Sequence, residues 1–130
     1  MPFLALIFFI LSVTVLAASA SAIDANSFNA YATKNSFDLC KCDSSEESII
    51  IENTGIFPAA YTLTPNSNNK WISLTSDSFI LGPGQKAQVN VLVNPECNIK
   101  PGKYEIYVDI TSGGITKRIT QLININLCDN

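Results

Sequence analysis

Four thiols are the side chains best suited to chemistry. Cys40, Cys42, Cys97 and Cys128 form an even set. In an exported domain such a set reads first as two structural disulfides. A zinc site made of all four thiolates is the sharper alternative. Cys40-Lys-Cys42 is a tighter spacing than zinc ribbons use, and an oxidising compartment works against free thiolates. The expectation is therefore disulfide-forming Cys40, Cys42, Cys97 and Cys128, with no metal and no cofactor.

The rest of the acid–base inventory is thin. The chain has no His, the commonest general base and metal ligand. Ser-His-Asp and Cys-His arrangements cannot be built from it. No Gly-rich phosphate loop of the Walker or dinucleotide type is present. Glu46-Glu47 is a carboxylate pair in a stretch that reads as a turn, where solvated charge is the ordinary outcome. Asp43, Glu46 and Glu47 could offer oxygens to calcium, but their spacing does not fit an EF-hand loop. A carbohydrate hydrolase using two carboxylates is the enzyme class considered, and no site signal points to it, so the expectation is a protein that is not an enzyme. No Asn-x-Ser or Asn-x-Thr occurs, so ordinary N-glycosylation is not expected.

Length and charge narrow the partners. The 130 residues fit one domain, and the net charge is −3. Lys117-Arg118 is the only basic pair, so no stripe exists for nucleic acid. No charged side chain precedes Asp24, and residues 3–18 are apolar apart from Ser12 and Thr14. Small residues follow as Ala18-Ser-Ala-Ser-Ala22, resembling a secretory signal with an Ala-x-Ala cleavage site. Cleavage after Ala22 is favoured, with Ala20 as an alternative. An uncleaved anchor is the other reading, because the apolar stretch to Ile23 just reaches the ~20 residues that span a bilayer. The expected organisation is a signal peptide or anchor at 1–22, a lead-in or ragged strand at 23–35, and a β-sandwich at 36–130.

The elements that must position the cysteines read as strands. Ala87, Val89, Val91 and Val93 share one parity, against Gln88, Asn90 and Asn94, with Leu92 the exception. Tyr104, Ile106, Val108 and Ile110 alternate with Lys103, Glu105, Tyr107 and Asp109. Side chains of a strand point to opposite faces in turn, so each run has one apolar face, as in antiparallel sheets covered on one side. Gly82-Pro-Gly84, Pro101-Gly102 and Ser112-Gly-Gly114 mark turns. Further strands are expected at 36–42 (an edge), 48–52, 59–64, 71–74 and 79–81, with a turn at 43–47. The last strand spans 115–127. Lys117 and Gln121 break its apolar face, which predicts a bulge or a half-exposed first part. Trp71 is expected to be largely buried, beside Tyr61, Phe79 and Val91. No helical periodicity appears after the N-terminal segment. About seven short strands with turn signals between them predict an all-β sandwich.

The order Ile49-Ile-Ile-Glu-Asn-Thr-Gly55, Tyr61-Thr-Leu63, Trp71-Ile-Ser-Leu74, Phe79-Ile-Leu-Gly-Pro-Gly84, Pro95 and Pro101-Gly-Lys-Tyr104 carries a resemblance. It resembles the immunoglobulin-like domains of prokaryotic, especially archaeal, cell-surface proteins. The domain associated with carbohydrate-binding modules in alpha-galactosidases is similar. The resemblance covers roughly residues 49–125 and implies an immunoglobulin-like antiparallel sandwich serving as a spacer or adhesion module.

On an immunoglobulin-like topology, the strand ending at Cys40 and Cys42, the end of 87–93 and the end of 115–127 fall at one pole. All four cysteines would then converge. Cys40 and Cys42 lie on one strand face about 6–7 Å apart by the rise per residue, so each is expected to bond Cys97 or Cys128. Cys40–Cys128 with Cys42–Cys97 is the favoured pairing.

The functional expectation is a secreted or cell-surface interaction or adhesion module. Its partner would be a protein or a carbohydrate at the cell surface, with membrane contact only through an uncleaved N-terminal segment. Outward-facing Ile50, Leu92, Tyr107 and Leu122 are the candidate contact residues. The alternative is a subunit of an extracellular filament or surface layer, with residues 24–33 adding as a strand to a neighbour's sheet.

Overall fold

Strand-forming sequence accounts for nearly every element of the computed structural model, which describes residues 26–66 and 70–128 and has no helix among them. The segment read as a signal helix, residues 1–22, lies outside the described residues. Nine strands follow in order: β1 (Phe28–Ala32), β2 (Ser36–Cys40), β3 (Ser45–Asn53), β4 (Ala59–Pro65), β5 (Ile72–Leu74), β6 (Ser78–Leu81), β7 (Lys86–Val93), β8 (Gly102–Ser112) and β9 (Ile115–Asn126). They form a four-stranded sheet, β1-β3-β7-β5, and a five-stranded sheet, β2-β9-β8-β4-β6.

The core lies between the sheets, on the parity that alternation predicts. Ile49 and Ile51 of β3 and Val89, Val91 and Val93 of β7 face Ile106, Val108 and Ile110 of β8 and Ile123 and Ile125 of β9, all at 3% exposure or less. Burying each such aliphatic side chain stabilises the fold by about 1.5–3 kcal/mol. Tyr61 of β4 is the largest side chain inside. Its ring meets Phe28 edge to face at 5.4 Å and stacks on Phe79 at 5.7 Å. Offset and edge-on arrangements of this kind add to area burial. The Tyr61 hydroxyl is buried without a partner of hydrogen-bonding geometry. Burial pushes its phenol pKa up, and the nearby Ser112 side chain offsets part of that rise. An unpaired buried hydroxyl costs about 1–3 kcal/mol. Tyr61→Phe, which keeps the ring contacts, is therefore expected to hold or raise stability by about 1 kcal/mol. A clear fall in its urea midpoint would mean that the hydroxyl has a partner in solution.

The strand count and the pairing bear on the sequence reading in three places. First, the chain changes sheets between Thr33 and Asn35. Thr33 N–H still donates to Ser48 of the four-stranded sheet, while Asn35 C=O accepts from Leu122 of the five-stranded one. The ragged-strand alternative for 23–35 is thus β1, in one sheet, and the edge strand expected at 36–42 is β2, in the other. Because β2 continues in the direction of β1 without a reversal, it meets β9 parallel, from Ser36↔Leu122 to Cys40↔Asn126. Every other strand pair is antiparallel. Gln121 serves this change of sheet: its buried amide donates to Lys34 C=O at 2.8 Å.

Second, residues 45–47 are strand, not turn. Ser45↔Val93, Glu46↔Leu92 and Glu47↔Val91 extend the β3–β7 ladder, and the turn shrinks to residues 41–44. Third, β9 carries no bulge, since its register with β8 runs unbroken from Ser112↔Ile115 to Gly102↔Ile125. The half-exposed alternative applies, with Ile115 and Ile119 only partly covered.

Trp71 is also placed differently from expectation. It precedes β5, is half-buried at the margin of the core, and packs edge to face on Tyr104 at 6.2 Å. It borders a shallow hollow with Lys70, Glu96, Asn98 and Ile99.

Candidate functional site

The cysteines gather at one pole through the sheet change. Along the parallel ladder Cys40 lies opposite Asn126, two residues before Cys128. The 41–44 turn then crosses to the other sheet, where Ser45 lies opposite Val93, four residues before Cys97. Cys40 and Cys128 stand at disulfide distance with Cα atoms 5.4 Å apart, and Cys42 and Cys97 likewise at 4.4 Å. A bond in the first pair would join β2 to β9 in the five-stranded sheet. A bond in the second would join the crossing turn to the exit of β7 in the four-stranded sheet. Asp43 N–H closes the turn on Cys40 C=O, which leaves Cys42 at φ 71°, a left-handed value uncommon outside glycine. Two such pairs suit an oxidising compartment.

The carboxylates near this pole do not converge. On a strand, neighbours point to opposite faces. Glu47 turns inward and accepts from Ser45 Oγ at 2.9 Å, while Glu46 turns outward and accepts from Asn90 Nδ2 at 2.6 Å. They cannot share a cation with Asp43. Among the described residues no group of His, Cys, Asp and Glu is arranged to hold a metal ion.

The four candidate contact residues do not form a patch. Ile50 and Leu92 lie on the outer face of the four-stranded sheet, and Tyr107 and Leu122 on the outer face of the other. Tyr107 is also covered. The Arg118 guanidinium sits 3.8 Å over its ring and pairs with Asp109, Nε–Oδ1 at 2.8 Å. Hydrogen bonding from Arg118 holds the Asp109 carboxyl below its ordinary range and raises the guanidinium in turn. A lowered acid pKa contributes stability above the ordinary carboxylate range and loses it as pH falls through the folded value. The pair is largely exposed, so this is a surface brace.

The other pole is organised by a residue that reads, in the sequence, only as the end of a strand. Asn53 is 1% exposed. Its Nδ2 donates to the carbonyls of Phe57 and Leu81, both at 2.9 Å, and its Oδ1 accepts from Gly55 N–H at 2.9 Å. Its own backbone donates to Gln85 C=O and accepts from Gly84 N–H. Gly84, at φ 76°, makes the tight approach possible. One residue, through its side chain and its backbone, thereby ties the 54–58 loop, the end of β6 and the 82–85 turn together.

Two apolar features result. β6 is the outer strand of its sheet, with Phe79 and Leu81 turned inward and Ile80 outward at 73% exposure. The 54–58 loop presents Ile56 and Phe57 at 56% and 61%. The first was readable from parity, because inward Phe79 and Leu81 force Ile80 out. The second was not, because loop side chains have no period. The segment considered as a donor strand is occupied at home: β1 pairs with β3 along its length, and Phe28 is 1% exposed.

No family model matches the chain, and no curated protein does. Solved structures do match in fold. A family 123 glycoside hydrolase from Clostridium perfringens aligns with TM-score 0.60 at 14% identity, over 80% of this chain and 28% of that one. The PapD-like domain 7 of human CEP192 aligns with TM-score 0.59 at 13% identity, over 81% and 87%. The E. coli chaperone DraB aligns with TM-score 0.59 at 10% identity, over 81% and 58%. The chain thus spans 28% of the hydrolase and 58% of the chaperone. At these identities the likeness is one of fold: a PapD-like, immunoglobulin-like sandwich.

Proposed function

We propose that the chain is an exported, non-catalytic interaction module, secreted or at the cell surface, that binds a protein partner along the free edge of β6. The observation that carries this is the character of that edge. Proteins blunt exposed edges with charge, proline or bulges. Ser78-Phe-Ile-Leu81 is short but carries no charge, proline or bulge, and its register with β4 is regular from Ala59↔Leu81 to Thr62↔Ser78. An extended segment of a partner would extend the ladder through backbone hydrogen bonds, with Ile80 and Ala60 as its side-chain contacts. The fold shared with a chaperone supports a protein partner, and the two cysteine pairs support an oxidising location. The proposal gives the adhesion role implied by the cell-surface resemblance a specific edge.

Ile80→Lys tests it. A residue so exposed is expected to tolerate the change within about 0.5 kcal/mol of folding stability. Losing the burial of an isoleucine should weaken partner binding about tenfold to a hundredfold. The measurement is capture of cell-envelope proteins by the full chain, followed by titration of the captured partner. A partner held equally by the wild type and the variant would place the binding surface elsewhere.

A further inference from the structure

A hollow of about 250 Å³ opens at the cysteine pole, lined by Lys70, Trp71, Glu96, Asn98 and Ile99. Its walls are the entry to β5 and the connection from β7 to β8, and both are fixed. Asn94 N–H donates to Trp71 C=O at 2.8 Å, so the connection starts against the indole's own backbone. Ile99 N–H closes a turn on Glu96 C=O at 3.0 Å, and Cys97 inside that turn stands at disulfide distance from Cys42. The Tyr104 hydroxyl donates to Lys100 C=O at 2.5 Å, and its ring meets Trp71 edge to face.

The polar groups here differ from those on the nearby sheet face. Glu46, Ser48, Gln88 and Asn90 satisfy one another. Among the described residues, no hydrogen bond or ion pair engages the exposed side chains of Lys70, Glu96 and Asn98. A half-buried indole thus stands beside an uncommitted cation, carboxylate and amide. An anion would suit the Lys70 ammonium but meet the Glu96 carboxylate, and a cation would meet the reverse. An apolar ligand would strip water from three polar groups without replacing it. A neutral pyranose ring meets all four side chains. Its C–H face carries the slight positive charge that the negative face of an indole attracts. Its hydroxyls accept from Lys70, donate to Glu96 and do both with Asn98. The volume lies below the ~300–1,000 Å³ of sites for larger ligands and suits a single ring.

We infer that this hollow is a binding site for a neutral sugar, with Trp71 as the platform and Lys70, Glu96 and Asn98 as the groups that hold its hydroxyls. No residue of β6 lines it. The inference therefore goes beyond the protein partner proposed above and does not rest on it.

Trp71 is the only tryptophan of the chain, so its emission reports the site directly. The test titrates the full chain with the methyl glycosides of glucose, galactose, mannose and N-acetylglucosamine. At least one is expected to change the emission saturably, in the millimolar range open to a ligand of one ring. Asn98→Ala and Glu96→Gln alter exposed side chains, so both variants should fold as the wild type does. Each should weaken that glycoside about tenfold, the loss of one hydrogen bond. No saturable change with any of the four glycosides would overturn the inference. So would an unchanged affinity in either variant, or an equal response to sodium sulfate, which would show an anion site on Lys70. Ile80→Lys should bind the glycoside as the wild type does, so this reading and that of the β6 edge fail separately.

Discussion

Replacing Cys40 and Cys128 by alanine is expected to lower stability by about 4–5 kcal/mol, on the chain-entropy account of cross-links. The residues are 88 positions apart, so the bond removes most of the loop freedom of the unfolded chain. The Cys42–Cys97 pair closes a shorter separation of 55 and is worth only slightly less, again about 4 kcal/mol, because the entropy grows with the logarithm of loop length. Against a total of about 5–15 kcal/mol for a domain, losing both would leave little folded protein. Urea unfolding of each double-alanine variant, with and without reductant, is the measurement. An unchanged midpoint for either variant would show that the pair is not bonded. The location of the damage also distinguishes the pairs. Loss of Cys40–Cys128 should speed hydrogen exchange in β2, which its single parallel neighbour holds on one side only.

Asn53→Ala is expected to cost about 3–5 kcal/mol, since two carbonyls and one amide each lose a partner worth about 1–3 kcal/mol and water recovers part of that. Asn53→Asp separates geometry from volume. The carboxylate keeps the shape but removes both donors and aims negative charge at the carbonyls of Phe57 and Leu81. Burial and that repulsion would raise its folded pKa above the unfolded value. The charged form is then the penalised one, so the deficit should grow as pH rises through the ordinary carboxylate range and shrink in acid. Denaturant melts at pH 4 and pH 7 check this. Equal deficits at both pH values would mean that the site admits water and that the clamp is weak.

Local alternation made most of the sandwich legible. β7 and β8 are legible from parity alone, and the buried positions of Ile49, Ile51, Tyr61 and Leu63 obey the same rule. Convergence of the four cysteines was legible too, because it needs only strand direction. The route was not. Nothing in Thr33-Lys-Asn35 signals a change of sheet, since hydrogen bonds to Ser48 and from Leu122 are decided by strands far along the chain. Trp71 was misplaced because an apolar run of four residues does not tell a core strand from the rim of a loop. Gln121 looked like a fault in an apolar face until its partner, the Lys34 carbonyl, was in view. Asn53 looked like punctuation for the same reason. Polar side chains that bond across the fold carry no period, so their roles appear only with the tertiary structure.

The parallel seat of β2 on β9 has a consequence for the order of assembly. Strand β2 has no other neighbour in its sheet, and its partner residues, from Leu122 to Asn126, are among the last described. Closing so distant a contact is slow, because the entropy of the intervening loop must be lost before any ladder bond forms. The four-stranded sheet, by contrast, draws its strands from residues 28–93 and needs nothing from β9. A chain emerging from its amino end can therefore pair one sheet early while β2 waits, its Cys40 thiol free. Until β9 arrives, Cys97 is the nearby alternative for that thiol. Pairing of β9 would thus decide which bridge forms during oxidative folding of this domain.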